Sequence, residues 1–516
     1  MKKHQRIYEI SAVLGISILF RVVIFYGAFA PHVDAAEFAT FVREIAINNG
    51  SVPTVNSLYF PGSRFIYPPL LFLFVYYVSL IFHAGGPSQG YFYLYSLFVL
   101  AVVAGSVKNA FIYRKTVNPE VKGSRALSFV IPVFFGVDIY ALTWGGYAYI
   151  VDYLFLILLL FHLDKGKWNR YDFLYGAFLS LVIPLTHDLT WFIAEASVTG
   201  FLIFNVIQKR RVKAIMSSFI LIVSTVTGII WWLPRVSFVV SAISIGQSAG
   251  AGFFSPVNSD YSALLAIPFG VPVGVLAVLE LVASLRRHKF EPIDAFTVAM
   301  VVGAFMLLII VRDPIIAARI ALYLYTFLMI IVLKNIHIIS WKGVMGSRHM
   351  RWNLKPRKVV ALAVVLLFAV GIPSQFAISS SASHYYSEGM FLYDHDLITW
   401  AGSHMQNGTI LAPEIGNYIS SIDGLPVILY SGFIVGKEQI IQREVALDLI
   451  SGHINSSLMK LLDTYNIRYL ILPLSLMEKN GSEHVNIKTP PLYLMKNFGD
   501  YSVYRISYMQ LNQNYQ

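Results

Sequence analysis

The chain reads as an α-helical polytopic membrane protein, about eleven transmembrane helices followed by a C-terminal extracytoplasmic α/β domain. Three observations predict this class. Only 13% of the 516 residues are charged and 56% are hydrophobic, with a mean hydropathy of +0.63. A soluble chain carries roughly 25% charged residues, so too few charges remain here to coat a water-facing surface. Apolar runs of about 17 to 25 residues flanked by charge, the length a transmembrane helix needs, recur along residues 1–377. Residues 378–516 then turn polar and mixed, with Gly and Pro punctuation. Disorder, collagen, coiled coil and a cytosolic enzyme are excluded as whole-chain readings. There are no cysteines, hence no disulfide, thiol nucleophile or Cys-held zinc. The net charge of +11 is spread over short loops rather than one soluble face, so no nucleic-acid partner is expected.

Eleven runs fit as spans: 8–29, 91–112, 126–143, 148–163, 172–187, 189–207, 214–233, 262–284, 293–311, 315–333 and 359–377. A twelfth run, 67–83, has only the minimum length. Charge decides its fate, because Lys and Arg gather in cytoplasmic loops. With the N-terminus inside and 67–83 not crossing, 24 basic residues lie inside against 5 in the outer loops. If 67–83 crossed, 21 of those 24 would move outside. The segment is therefore expected to lie along the outer interface or to dip in and return, entered by the kinked Tyr67-Pro68-Pro69-Leu70. The division is a membrane domain over 1–377, with a first outer loop 30–66 and an interfacial segment 67–83, then an extracytoplasmic domain over 378–516. The basic start and Ala28-Phe29-Ala30 read as an uncleaved signal anchor, since Arg21 interrupts a run too long for a signal. The expected location is the cell membrane, N-terminus cytoplasmic.

The tail of 139 residues is large enough for its own core. Thr409–Ala412, Pro426–Tyr430 and Tyr469–Leu472 read as strands, and Ser457–Tyr465 as a helix. LYLMKNFGDYSVYRI reads as a hairpin turning at Gly499-Asp500.

The inner loops are short and basic, which is the orientation signal, so chemistry is sought on the outer face. Asp34, Glu37, Glu44, Asp138, Asp152, Asp188, Asp260 and Asp313 fall there. The first outer loop is the longest between spans and holds His32, Asp34, Glu37, Arg43 and Glu44. Asp34 and Glu37 are three apart in a helical pattern and share a face. They serve as a capping-box pair at the helix start, or Asp34 is a general base or metal ligand at the membrane surface; a cap can also be a base. His187-Asp188 sits between two spans: Asp188 caps the descending helix, or the pair carries a proton or binds a phosphate. Glu195 lies inside the bilayer, where carboxylates are costly and are functional or paired. Arg319, one turn into the tenth span, pairs with a carboxylate such as Asp313 or binds a lipid phosphate bidentately. The Gly- and Ser-rich loop 234–261 adds Arg235. No P-loop, HExxH or GxSxG occurs, and Asp394-His395-Asp396 is too weak a pattern for a metal site.

This layout, with an Asp early in a long first outer loop (APHVDAAEF) and YPPL opening an interfacial helix, resembles the GT-C integral-membrane glycosyltransferases. Trp144-Gly145-Gly146-Tyr147 resembles a Gly-aromatic stretch of their second outer loop, and Arg319 in AARIALYLY resembles an arginine on the lipid-linked phosphate. The resemblance implies Asp34 as catalytic base with Glu37 beside it, and Arg319, Arg235 and His187 as ligands of the donor phosphate. Asp188, Glu195, Tyr67, Trp144 and Tyr147 are further site candidates. Two features of the oligosaccharyltransferase branch are missing: an acidic pair in the second outer loop, where Tyr147-Ala148-Tyr149 stands, and a Trp-Trp-Asp signature in the tail. The resemblance thus implies transfer of one sugar from a polyprenyl-phosphate donor to a glycan, lipid or protein acceptor, inverting, without metal or cofactor. A lipid phosphate already leaves as a good anion, so one base and one cation suffice. A transporter or flippase is the competing class, but no repeat or paired broken helices are found. An oligosaccharyltransferase-like enzyme and an inactive scaffold are further alternatives.

Overall fold

The computed structural model describes residues 3–25, 33–82, 88–118, 124–134, 136–143, 145–165, 168–235, 294–299, 302, 314–335, 393–429, 448–449, 456–473, 492–499 and 501–507. The spans expected at 262–284 and 359–377 lie outside these residues, and so does nearly all of 293–311.

The apolar runs become helices because a chain out of water must satisfy each backbone N–H within its own segment. In order these are α1 (Lys3–Ile24), α2 (Val33–Ile47), α3 (Leu70–Ile81), α4 (Ser88–Thr116), α5 (Ser124–Phe134), α6 (Val137–Thr143), α7 (Tyr147–Leu163), α8 (Arg170–Thr186), α9 (Asp188–Ile207), α10 (Arg211–Trp232) and α11 (Pro314–Asn335). A 3-10 turn, Leu233–Arg235, closes α10. Among the described residues, three helical stretches are long and apolar enough to cross a membrane: Gln89–Thr116, Asp188–Ile207 and Arg211–Arg235. α3 has 12 residues, about 18 Å of helix, well short of a hydrocarbon core of about 30 Å. α4 is the hub, packing on α1, α2, α3, α5 and α7, and α8, α9 and α10 pack on one another.

The run 126–143 is not one helix. It divides into α5 and α6, with Pro132 inside α5 and Gly136 at the division. The break is held by charge. Asp138 receives Arg21 Nε at 2.5 Å and Lys108 Nζ at 2.7 Å, and Arg21 Nη1 also donates to the Val133 carbonyl at 3.2 Å. A Cβ at position 136 would lie 2.5 Å from Asp138 Oδ1 and 2.7 Å from the Pro132 carbonyl, so only glycine fits there.

The C-terminal part forms α12 (Tyr393–His404), β1 (Thr409–Ala412), α13 (Gly416–Asp423), β2 (Val427–Leu429), α14 (Ser456–Thr464), β3 (Ile467–Pro473), β4 (Leu492–Phe498) and β5 (Tyr501–Ile506). The expected strands, helix and hairpin are all present. The sheet order is β2-β1-β3-β5-β4. β1 runs parallel to β2 (Leu411 opposite Ile428) and to β3 (Leu411 opposite Leu470). β5 is antiparallel to β3 and to β4. β1 and β2 are buried at every residue, as expected of a parallel core covered on both faces.

This sheet is tied to the loop around α2. Val427 donates its N–H to the Leu58 carbonyl at 2.7 Å, and its own carbonyl accepts from Phe60 N at 2.9 Å. Arg43 on α2 donates to the Ser421 carbonyl at 3.0 Å, placing a cation at the carbonyl-rich end of α13.

Candidate active site

The site is built on one face of α2. Asp34, Glu37, Phe41 and Glu44 follow a spacing of three to four and so align along the helix. Glu44, fully buried, is the clip: its carboxylate accepts from Ser57 N at 2.7 Å, Ser57 Oγ at 2.6 Å and Tyr59 N at 3.3 Å. That folds residues 51–66 back over α2 and sets the Tyr59 hydroxyl in hydrogen bond with Glu37. Phe41 packs edge-on to Tyr59 at 5.7 Å and to Phe65 at 5.3 Å, with Tyr67 tilted against it at 5.6 Å.

α2 begins at Val33, so Asp34 lies within the first turn rather than at the cap, and Glu37 is engaged by Tyr59. The start of α2 is pressed against the Gly-aromatic stretch. Gly145 has φ of +77°, and a Cβ there would come 2.7 Å from Ala35 N and 3.3 Å from Asp34 Cβ. This close approach explains that glycine.

Across the recess stands Arg319 on α11. Its Nη2 is 3.8 Å from Asp34 Oδ2, and both side chains remain 32% exposed. That contact is an ion pair longer than a hydrogen bond. One turn further, Tyr323 anchors α11. Its hydroxyl is bonded to Thr190 Oγ1, and its ring meets Tyr149 and Tyr153 edge-on at 4.8 Å each.

Thr190 also connects to His187, whose Nδ1 accepts from Thr190 N at 3.4 Å. His187, not Asp188, therefore holds the N-cap position of α9. Asp188 is the first helical residue, 50% exposed, with Oδ1 3.7 Å from His187 Nδ1. Tyr67 lies within the field of Asp188, Arg319, Glu37 and Asp34 together, so these residues form one cluster. Burial, and Asp188 next, push the Tyr67 phenol well above its ordinary range.

The two α2 carboxyls are tuned apart. Although a third of Asp34 is reachable by solvent, protein surrounds its carboxyl, and desolvation raises its pKa to about 6 against the opposing pull of Arg319. Burial lifts Glu37 to about 8, with the Asp34 charge adding to the rise and Tyr59 and Arg319 opposing it. Near neutral pH Asp34 is the ionised member and Glu37 holds a proton.

Other candidates fall elsewhere. Glu195 accepts from Trp191 Nε1 at 2.9 Å and from Thr225 Oγ1 at 3.1 Å, joining α9 to α10. Arg235 donates to the Phe65 and Trp231 carbonyls at the end of α10, away from Arg319's partners. Tyr147 is fully buried against Phe98 and cannot line an open recess. Trp144, Asp260, Arg312 and Asp313 lie outside the described residues. Among the described residues no group of three or more His, Asp or Glu is arranged to hold a metal ion.

One residue escaped the sequence reading. Glu414 is exposed in part, and its pKa is raised by burial and then by the charge of Asp34, which puts the two carboxyls within electrostatic reach of each other. It sits in the turn after β1, and ligands gather at the carboxyl ends of parallel strands. The lone acidic residue in that turn was the available signal.

No protein-family model matches the chain, and neither does any curated protein. Solved structures do. The oligosaccharyltransferase of Archaeoglobus fulgidus in its apo form matches with a TM-score of 0.60 at 12% identity, over 92% of this chain and 70% of that one. The same organism's AglB, complexed with an inhibitory peptide and a dolichol-phosphate, matches with 0.57 at 13% identity, over 91% and 70%. ArnT from Cupriavidus metallidurans bound to undecaprenyl phosphate matches with 0.50 at 12% identity, over 95% of this chain and 97% of that one. The chain shares its fold with these membrane glycosyltransferase structures, a mostly helical body with several apolar helices and a small C-terminal sheet.

Proposed function

We propose that the chain is a membrane glycosyltransferase that moves a single sugar from a polyprenyl-phosphate donor to an acceptor on the extracytoplasmic face. The observation that carries this is the Asp34–Arg319 pair: a carboxyl with a raised pKa and a guanidinium 3.8 Å apart, both partly exposed, which separate to admit donor and acceptor between them. Asp34 takes the proton of an acceptor hydroxyl as that oxygen attacks the anomeric carbon. The bond to the phosphate oxygen breaks on the opposite side of the carbon, which inverts it, and Arg319 receives the departing charge. Glu37 keeps its proton and is a neutral neighbour to an anionic donor. His187 and Asp188 border the same cluster and help define where the phosphate rests. Glu414 brings the C-terminal sheet to the acceptor side. The eleven-span topology with the N-terminus inside belongs to this reading and rests on the count of 24 basic residues against 5.

The near end-to-end match to ArnT, 95% of one chain and 97% of the other, supports this plan over whole-glycan transfer to a peptide. The higher TM-score of 0.60 to the oligosaccharyltransferase favours the second reading. One experiment separates them. Membranes carrying the protein are supplied with radiolabelled polyprenyl-phosphate monosaccharide or with lipid-linked oligosaccharide plus a sequon peptide. Label passing from the monosaccharide donor supports the first reading. Label reaching the peptide only from the oligosaccharide donor replaces it with the second, and no transfer from either removes both.

A further inference from the structure

The opposite end of the helical body carries a basic site that the transfer reaction does not use. Lys334, in the last turn of α11, has its Nζ 3.6 Å from Oδ2 of Asp164, the residue that ends α7. Lys115, one residue before the end of α4, holds its Nζ 5.5 Å from the centre of the Phe161 ring, about one turn before Asp164. Lys213, in the first turn of α10, feels the same carboxylate. Partial burial lowers the pKa of Lys115 and of Lys213; Asp164 opposes that fall, and Lys334 adds to it in both. Three ammonium groups from three helices thus gather about one carboxylate.

Orientation in a membrane accounts for how many basic residues the inner loops hold, not for their convergence. Helix electrostatics account for only part of it. Lys115 and Lys334 lie at helix C-termini, where a cation is favoured. Lys213 lies at the N-terminal end of α10 and Asp164 at the C-terminal end of α7, both disfavoured places for their charge. The cluster keeps an excess of positive charge in surroundings that withhold some water from it. An anion would settle that excess, and lysine binds phosphate as a point charge. The surface beside Lys213 says what the phosphate is attached to. Val206 and Ile207 end α9, Val212 and Ile215 flank Lys213 on α10, and all four are exposed. Exposed aliphatic side chains directly beside a lysine suit the acyl chains below a charged headgroup.

We propose that Lys115, Lys213 and Lys334 bind the phosphate of an anionic phospholipid in the inner leaflet. The occupant is a lipid of the bilayer, not a substrate, and it lies on the other side of the membrane from the Asp34–Arg319 recess. Its phosphate ties the inner ends of α4, α10 and α11 together, and α11 carries Arg319 toward its outer end. A basic pocket between helices at the cytoplasmic face is the setting in which anionic headgroups are held. The inference rests on the reading of the N-terminus as cytoplasmic, and binding is measured without turnover.

The test is native mass spectrometry of the full chain in phosphatidylcholine nanodiscs, titrated with phosphatidylglycerol. Phosphatidylethanolamine, which carries the same phosphate without net charge, is the control and should not be retained. Lys213→Gln should weaken phosphatidylglycerol about fivefold, and Lys115→Gln with Lys213→Gln about thirtyfold. The pair Lys115→Arg, Lys213→Arg keeps the charges and should stay within about twofold of the parent. Lys115 is exposed and Lys213 half-buried, so thermal inactivation in detergent should be unchanged in these variants. Unchanged phosphatidylglycerol binding in the double glutamine variant would overturn the proposal. So would displacement of the lipid by millimolar inorganic phosphate, which would make the ligand a soluble anion. The side is read separately: the chain has no cysteine, and Gln208→Cys, exposed beside the site, should label only from the cytoplasmic face of intact membranes. Labelling from outside would overturn the inner-leaflet assignment together with the topology. Failure of sugar transfer with the binding pattern intact would instead remove the enzymatic reading and leave the site.

Discussion

Two of the carboxylate–arginine pairs among the described residues look alike on paper and differ in closure and exposure. At Asp138, Arg21 and Lys108 close to 2.5 and 2.7 Å, and none of the three is more than 1% exposed. At Asp34, Arg319 stands off at 3.8 Å, and both partners are 32% exposed. The first pair is closed and buried, and it joins α1, α4 and α6 where the fifth and sixth helices divide. The second is longer, is reachable from solvent, and has its carboxyl raised to about 6. The contrast teaches that opposite charges in a membrane protein are read by what remains open to a ligand. On the proposed function, the closed cluster serves the fold and the looser one serves chemistry.

The contrast can be broken most forcefully at Asp138. Asp138→Ala strands two buried cations, and removing one partner of a buried ion pair costs about 3–5 kcal/mol. Thermal inactivation in detergent should come far earlier than in the parent. Unchanged stability would mean the triad is not structural.

Arg319→Gln should do the opposite. The fold should persist, because its ion pair is half-exposed and loose. Sugar transfer should fall about 10²–10³-fold, as when one stabiliser of developing negative charge is lost. A large loss of stability with this variant would place Arg319 in the structural class.

The pH profile sharpens the comparison more gently. Asp34 must be ionised to act, so kcat/KM should fall tenfold per unit below about pH 6. Above about pH 8 Glu37 loses its proton, adding a negative charge beside an anionic donor, and the profile should decline again. Both carboxyls have folded pKa values above their ordinary ones. The stability linked to their protonated forms is therefore complete below about pH 4 and is lost as pH rises through about 6 and 8. A profile with its acid limb near pH 4 would contradict the assignment of Asp34.

Much of the helical layout was legible because apolar runs admit only one backbone solution out of water. α3, α7, α8, α9, α10 and α11 stand where the hydropathy placed them. The division at Gly136 was not legible, since hydropathy counts apolar side chains and is blind to hydrogen bonds and to a cation inserted among carbonyls. The role of Asp188 as a cap was misplaced by one residue, because an imidazole nitrogen took the amide that an Asp oxygen usually takes. Asp34 and Arg319 were each visible, but their meeting is a fact of packing between distant helices. Glu414 was hidden for the same reason: the pairing of Val427 with the first loop and the bonds from α2 to α13 bring its turn near Asp34.

The most direct measurement is sugar transfer and thermal stability of Asp34→Asn, read together with Glu37→Gln. Asn keeps the shape of Asp and a favourable place in the first helical turn, and it removes a carboxylate that resists burial. Stability should hold or rise. Turnover should fall about 10²–10⁴-fold, the usual cost of losing a general base. Glu37→Gln, replacing a group already protonated near neutral pH, should be far milder. Near-native turnover with asparagine at position 34 would contradict the account, leaving the carboxyl a feature of the helix start and moving the base to Glu37 or Asp188.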